Sequence, residues 1–459
     1  MSQKFPISKL TLALLTLPVA SLTHAAGIDR SGQDIKGFFN DGTYAEIDFA
    51  YLKTDISGHD NAGELAGQKF GITQTEDAYV KGNSTGNISK DAYTFMRYGV
   101  KTDINDTVSV GLFYDEPYGA EVQYEGESAF VAKAGEKTLA NPSKPVPLSN
   151  EIINPNVLVD GYEKGTNVRL HTESWTGLVG FKSPDGFQIY GGPVLQKAEA
   201  KVNLRGTAYG PLSGYDANVN HDTALGWVAG VGYSKPEIAL KANLTYRSEI
   251  DHKTKVSEYI PLLENGALKD QFLGELNIDK DSELAKSISP RASTKAKVTT
   301  PESVNFNFET GLSAKHQLLG TLDVRWVPWS DFSIVPPMYN AYSKAAVEGG
   351  LPLLDYKDDQ WKVDVGLAKR FNEKLAGSVV VGWDSGAGDP VSSLGPVEGY
   401  YSIGGGVKYN ITPEWAISAG GKYLKFGDAT GKLPNNSIVS KFQDNDGYVL
   451  GAKLSYHSK

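Results

Sequence analysis

Residues 108–124 read Val-Ser-Val-Gly-Leu-Phe-Tyr-Asp-Glu-Pro-Tyr-Gly-Ala-Glu-Val-Gln-Tyr, a stretch that starts as a strand, breaks and starts again. Val108, Val110, Leu112 and Tyr114 recur every second residue, as a lipid-facing strand requires, and Ala120, Val122 and Tyr124 resume the alternation. Between them stands Asp115-Glu116-Pro117-Tyr118-Gly119. Proline removes a ladder donor and glycine weakens pairing, so the interruption either ends the strand or detaches it from a neighbour. In a membrane barrel such a detachment is an opening in the wall.

The same period of two runs through the chain from Tyr44 onward, in segments of roughly ten residues joined by alternately short and long connections. Short joins fall at Asp103–Asp106, Ser183–Gly186, Lys235–Glu237, His316-Gln317, Phe371–Lys374 and Asn410–Glu414. The pattern predicts fourteen strands in an all-β antiparallel transmembrane barrel, with both ends on the side of the short turns. That side is expected to be periplasmic, and the long loops 57–92, 125–165 and 257–302 extracellular. In the last of these, Leu268, Phe272 and Leu276 recur every four residues, which predicts a short amphipathic helix.

Upstream, Lys4 and Lys9 precede an apolar run from Leu10 to Leu22 and the small residues around Ala25, the form of a secretory signal peptide over residues 1–25. The run is too short to span a bilayer as a helix. Residues 26–43 remain as a short N-terminal segment before the barrel, 44–459. The net charge of −9 becomes −11 once Lys4 and Lys9 leave, which argues against nucleic acid as a partner. There is no cysteine, so no disulfide, thiolate metal site or cysteine nucleophile is expected. The histidines are scattered, and neither a catalytic cluster, a metal site nor a cofactor motif is expected. The 24 tyrosines and 7 tryptophans suit the two interfaces of a membrane barrel.

Several elements of this chain resemble the FadL/TodX family of outer-membrane transporters for long-chain fatty acids and other hydrophobic compounds. They are Tyr118-Gly119 after the third strand, Gly226-Trp227-Val228-Ala229-Gly230, Leu244-Thr245-Tyr246-Arg247-Ser248-Glu249, Pro301-Glu302 before a strand, and Trp329-Ser330-Asp331-Phe332. The resemblance implies a barrel with an N-terminal hatch in its lumen, extracellular loops that capture a hydrophobic small molecule, a pocket near the mature N-terminus, and lateral exit at a kinked third strand. Only Ala26–Thr43 are left for the hatch, which is shorter than the family's, and the family's Asn-Pro-Ala element is absent.

On that reading the ligand pathway comprises Ile28, Asp115, Glu116, Pro117, Tyr118, Gly119, Arg247 and Arg325, with Leu268, Phe272 and Leu276 as a capture surface on the loops. Arg247 and Arg325 share their strand faces with polar neighbours and are expected to point inward. There a guanidinium either takes a ligand carboxylate through two parallel hydrogen bonds or ties up a lumen acid such as Asp323 or Glu249. The expected setting is the outer membrane of a bacterium, with outer-membrane lipids around a monomer. Two alternatives stay open: a general porin for small hydrophilic solutes, which the acidic inward face at Glu46 and Asp48 supports, and a surface adhesin or receptor acting through the long loops.

Overall fold

The computed structural model describes residues 28–62, 80–89, 92–132, 137–141, 144–147, 165–264, 266–275, 278–344 and 347–458. The expected signal peptide lies outside them. Fourteen antiparallel strands close into a barrel. The first, Thr43–Asp55, pairs with the second, Tyr93–Asp103, and also with the fourteenth, Asp446–Ser458, which closes the ring. The third runs in two pieces, Val108–Asp115 and Gly119–Gln123, followed by Asn167–Lys182, Phe187–Asn203 and Asp216–Lys235. The seventh and eighth are also interrupted, as Leu240–Arg247 with Ile250–Tyr259 and as Arg291–Thr300 with Ser303–Ser313. Leu318–Val327, Gln360–Arg370, Leu375–Asp384, Glu398–Asn410 and Trp415–Gly427 complete the circuit.

The side-chain alternation is the physical reason for this form. Phe49, Leu112, Val179, Leu195, Val231, Val365, Val381, Ile403 and Leu450 are exposed on the outer wall as an apolar belt. Trp175, Trp227, Trp361, Trp383 and Tyr401 fringe the belt toward the long loops; Phe187, Phe371, Tyr409 and Trp415 fringe it toward the short turns. At the short turn before Phe187, Gly186 takes φ +91°, and a Cβ there would run into the Ser234 carbonyl oxygen.

Inside, the acidic face expected of the first strand is present but neutralised. Lys453 lies 2.8 Å from Glu46 and 3.2 Å from Asp48, and Arg97 stands 3.2 Å from Asp48. Across the lumen Asp364 is held between Lys422 at 2.7 Å and Lys362 at 3.2 Å. With these carboxylates already paired, the inward face is not the acidic lining that spoke for a porin.

One expected boundary is corrected. Residues 257–302 are not a single loop: the seventh strand continues to Tyr259 and Arg291–Thr300 form the upper part of the eighth, leaving 260–290 as the connection. The outward residues there include Lys295 and Lys297, so no apolar alternation marks the strand. The ninth strand stops at Val327, because Trp329–Asp331 turn inward as a 3-10 helix with Trp329 buried.

Candidate functional site at the break in the third strand

Above the break, the third strand keeps one neighbour and loses the other. The fourth strand pairs with both pieces, Asp115 opposite Ser174 and Gly119 opposite His171, so three residues on one side face two on the other. Thr172 holds that side: its hydroxyl takes the N–H of Tyr118 at 2.8 Å, and its own N–H donates to the Tyr118 carbonyl at 3.1 Å. The second strand pairs with the third only from Tyr98 to Asp103. Its residues 93–97 have no ladder partner on the third strand, and this is the gap in the wall.

The vacant edge is taken from within by the N-terminal segment. Arg30 donates its backbone N–H to the Pro117 carbonyl at 2.7 Å, and Gly119 donates to the Ile28 carbonyl at 2.8 Å, with Asp29 and Tyr118 as bridge partners. Proline contributes its only backbone hydrogen-bonding group to this pairing. Side chains fix the same residues. Asp29 receives Arg325 in a bidentate pair, Nε to Oδ2 at 2.6 Å and Nη2 to Oδ1 at 3.1 Å, and the Ser31 hydroxyl donates to Asp115 at 2.7 Å.

Further along, Gln33 accepts from Ser303 at 2.7 Å and Lys36 reaches Asp323 at 2.8 Å. Asp34 accepts the Lys36 backbone N–H at 2.7 Å and lies 3.2 Å from Arg97. Burial opposes its charge, but Lys36 and Arg97 outweigh that and hold the Asp34 carboxyl below the ordinary carboxylate range. Phe38 anchors the end of the segment, packed edge-on to Phe113 and Phe39 over a floor of glycines. A Cβ at Gly111 or Gly180 would come within 2.9 Å of its ring.

Two cavities meet at the gap. One of about 100 Å³ faces the lumen between Ile28, Ile56, Ile88, Val122, Leu170, Leu354 and Phe426, an almost wholly apolar wall. The other, of about 550 Å³, is mixed, with the charged groups Glu116, Glu121, Arg169, His171 and Lys201 beside Leu170 and Val219. Both are lined by Arg30, Tyr93 and Ala120. Arg30 is 4% exposed; its guanidinium lies 4.1 Å from the centre of the Tyr93 ring and its Nε has no hydrogen-bond partner among the described residues. Burial lowers its pKa to about 10, while Glu116 and Glu121 pull it back upward, so it is charged at neutral pH. Gly119 is the one residue type that leaves it room, since a Cβ there would overlap the guanidinium carbon.

The structure thus brings Ile28, Asp115, Glu116, Pro117, Tyr118 and Gly119 together. Tyr118 is fully buried, packs edge-on to Trp329 with ring centres 5.7 Å apart, and donates its hydroxyl to the Pro301 carbonyl at 3.2 Å. Arg247 and Arg325 point inward as expected but are bound to the N-terminal segment. Arg325 takes Asp29 rather than Asp323 or Glu249, and Arg247 donates to Thr176 at 3.0 Å and to the Gln33 carbonyl at 3.3 Å. Leu268 and Phe272 fall in a helix, Gly266–Glu275, whereas Leu276 lies outside the described residues; Leu273 on that helix is buried. Sequence reasoning missed Arg30 and Trp329. Trp329 belongs to the Trp-Ser-Asp-Phe element but was not placed on the ligand pathway, and nothing in the sequence around Arg30 marks it apart from its closeness to Ile28.

No family model matches the chain, and no curated protein matches it. Solved structures do. A Pseudomonas aeruginosa FadL homologue superposes with a TM-score of 0.67 at 16% identity, over 96% of this chain and 99% of that one. The P. putida toluene transporter TodX gives 0.52 at 12% identity, over 92% and 91%. The monoaromatic hydrocarbon channel CymD gives 0.50 at 11% identity, over 97% and 99%. At these identities the likeness is one of fold, and the chain has the FadL/TodX fold.

Proposed function

From that fold, we propose that this chain is a passive transporter of the bacterial outer membrane. It carries a long-chain fatty acid or a similar hydrophobic compound and releases it sideways through the gap beside the third strand. The observation that carries this reading is the pairing of residues 28–30 with residues 117–119. The same backbone bonds that seat the N-terminal segment also fill the vacant edge of the wall, so a ligand that displaces the segment from the lumen side opens the exit.

In this scheme extracellular loops, including the helix bearing Leu268 and Phe272, capture the molecule. The small apolar cavity beside Ile28 holds its tail, and residues 26–43 serve as the hatch. Burial of the tail supplies about 0.8 kcal/mol per methylene at each stage, so successive modest apolar surfaces move cargo where one deep well would trap it. Arg30 favours a cargo with a carboxylate, because its Nε is an unpaired buried donor beside the apolar cavity. TodX is a toluene transporter and CymD a monoaromatic hydrocarbon channel, and such neutral compounds are the second substrate class to test. The barrel works as a monomer, since closure leaves no strand edge to satisfy.

The absence of native cysteine gives a clean test. Cysteines placed at Ser31 and Asp115 and joined by a short thiol-reactive linker tether the segment to the kink. Uptake of a labelled long-chain fatty acid by cells or vesicles is expected to fall to background when tethered and to return when a cleavable linker is cut. Undiminished uptake with the tether in place refutes lateral exit under hatch control.

A further inference from the structure

The upper parts of the seventh and eighth strands carry a feature that hydrophobic transport does not use. In their register Lys253 stands directly opposite Lys297, and Lys255 opposite Lys295. Directly opposed residues share one face of the sheet at close quarters, and like charges there repel. All four are exposed, on the face opposite to buried His252, Thr254 and Val256, and therefore on the outside of the wall. Lys297 is offset by Asp251 at 2.9 Å; among the described residues Lys253, Lys255 and Lys295 have no carboxylate in ion-pair contact. The nearby Asp222 is turned to His252, at 3.3 Å, and to the backbone N–H of Lys253. Two and three strands away, Lys197 and Arg169 are offset by Glu173 and Glu121. The surplus is local, on a chain whose net charge is −9.

Its height on the wall selects the partner. Trp227 and Tyr246, with ring centres 5.1 Å apart, sit near the top of the apolar belt on this side of the barrel, and exposed Leu225, opposite Leu195, is its last outward apolar residue on the sixth strand. Lys253 donates its backbone N–H to Asp222, three residues beyond Leu225, which at about 3.3 Å per residue places it roughly 10 Å past the belt along the strand. The lysines therefore project sideways just beyond the acyl-chain zone, into the headgroup layer. They do not face upward to the medium, where a soluble partner would approach.

We propose that Lys253, Lys255, Lys295 and Lys297 bind the phosphate groups on the saccharide headgroup of an outer-leaflet glycolipid. Ammonium groups act as point charges toward phosphate, and a bound phosphate sitting between the opposed pairs removes their repulsion. This inference rests on the outer-membrane reading given above.

The test uses the full chain purified in detergent and titrated with bisphosphorylated lipid A, with its dephosphorylated form and with inorganic phosphate. Binding of the bisphosphorylated lipid is expected to weaken by roughly a hundredfold in the triple variant Lys253→Gln/Lys255→Gln/Lys295→Gln, at about one kcal/mol per removed charge. It should persist in the corresponding triple arginine variant, and the dephosphorylated lipid should not distinguish wild type from variant. Equal binding by wild type and the glutamine variant overturns the proposal, as does displacement of the lipid by millimolar inorganic phosphate. β-Sheet circular dichroism and heat-modifiable gel mobility establish that each variant is folded. Fractionation of cells tests the premise separately: wild type outside the outer membrane defeats the localisation, whereas wild type within it and an unaffected variant defeat only the lysine site.

Discussion

The carboxylate of Asp29 and the guanidinium of Arg325 form a buried bidentate pair, 2.6 and 3.1 Å, that joins the N-terminal segment to the far wall of the barrel. Asp29 is also the bridge partner of Tyr118 at the break in the third strand. One residue thus ties the segment to both sides of the lumen. Replacing Arg325 by methionine leaves the Asp29 charge buried without a partner, at a cost of about 3–5 kcal/mol. The expected result is a barrel with unchanged melting and a segment that becomes cleavable by protease near residue 29. Protection equal to wild type would show that the pair does not hold the segment.

Phe38 makes a second, apolar anchor, and it acts on the segment rather than the wall. Phe38→Ala is expected to destabilise docking of residues 28–42 by about 3–5 kcal/mol, the usual cost of emptying a buried aromatic site. Hydrogen exchange at Phe38 and Asn40 should accelerate while exchange in the strands stays slow. Uniform acceleration around the barrel would instead make Phe38 part of the wall's own stability.

Arg30 and Gly119 offer a paired test of the gap. In Gly119→Ala the new methyl displaces the guanidinium from Tyr93, and in Arg30→Ala the group is gone. Both variants should admit neutral apolar compounds at least as fast as wild type. Arg30→Ala should lower uptake of a carboxylate-bearing chain by roughly tenfold, the scale of one charge-assisted hydrogen bond. If the acid and its neutral methyl ester lose uptake equally, Arg30 has no part in reading the carboxylate.

Acid should release the segment late. The Asp34 pKa is depressed in the folded protein, so its contribution is fully present above the ordinary value of 3.8 and is lost only as pH falls through the lower folded value. Protease protection of residues 28–42 is therefore expected to be flat from pH 8 to pH 5 and to fail only below 3.8. In Asp34→Asn that acid dependence should shrink.

Where apolar side chains meet lipid, the sequence was readable. The outward run Val108, Val110, Leu112 and Tyr114 and its counterparts gave the strand number and the closure, because the belt demands period two. Above the belt that demand lapses. Arg291–Thr300 alternate charged and small residues, and such a pattern is equally a loop's, so a strand was missed there. The break at Glu116-Pro117 was legible through proline chemistry, but its occupant was not. Residues 28–30 make a bridge with residues 117–119 through backbone atoms, which carry no residue-type signature. Arg247 and Arg325 were placed inward from their neighbours alone; that their partners would be Gln33 and Asp29 depended on a tertiary path no spacing records.

The tether of Tyr118 to Thr172 carries a consequence for the proposed lateral route. On that route, opening the gap would break two backbone bonds to the N-terminal segment and none in the ladder between the third and fourth strands. The hoop of fourteen strands would stay intact through each passage. Cargo flux and resistance to unfolding would then be independent quantities in this molecule, and a variant that leaks would not, for that reason, be one that melts.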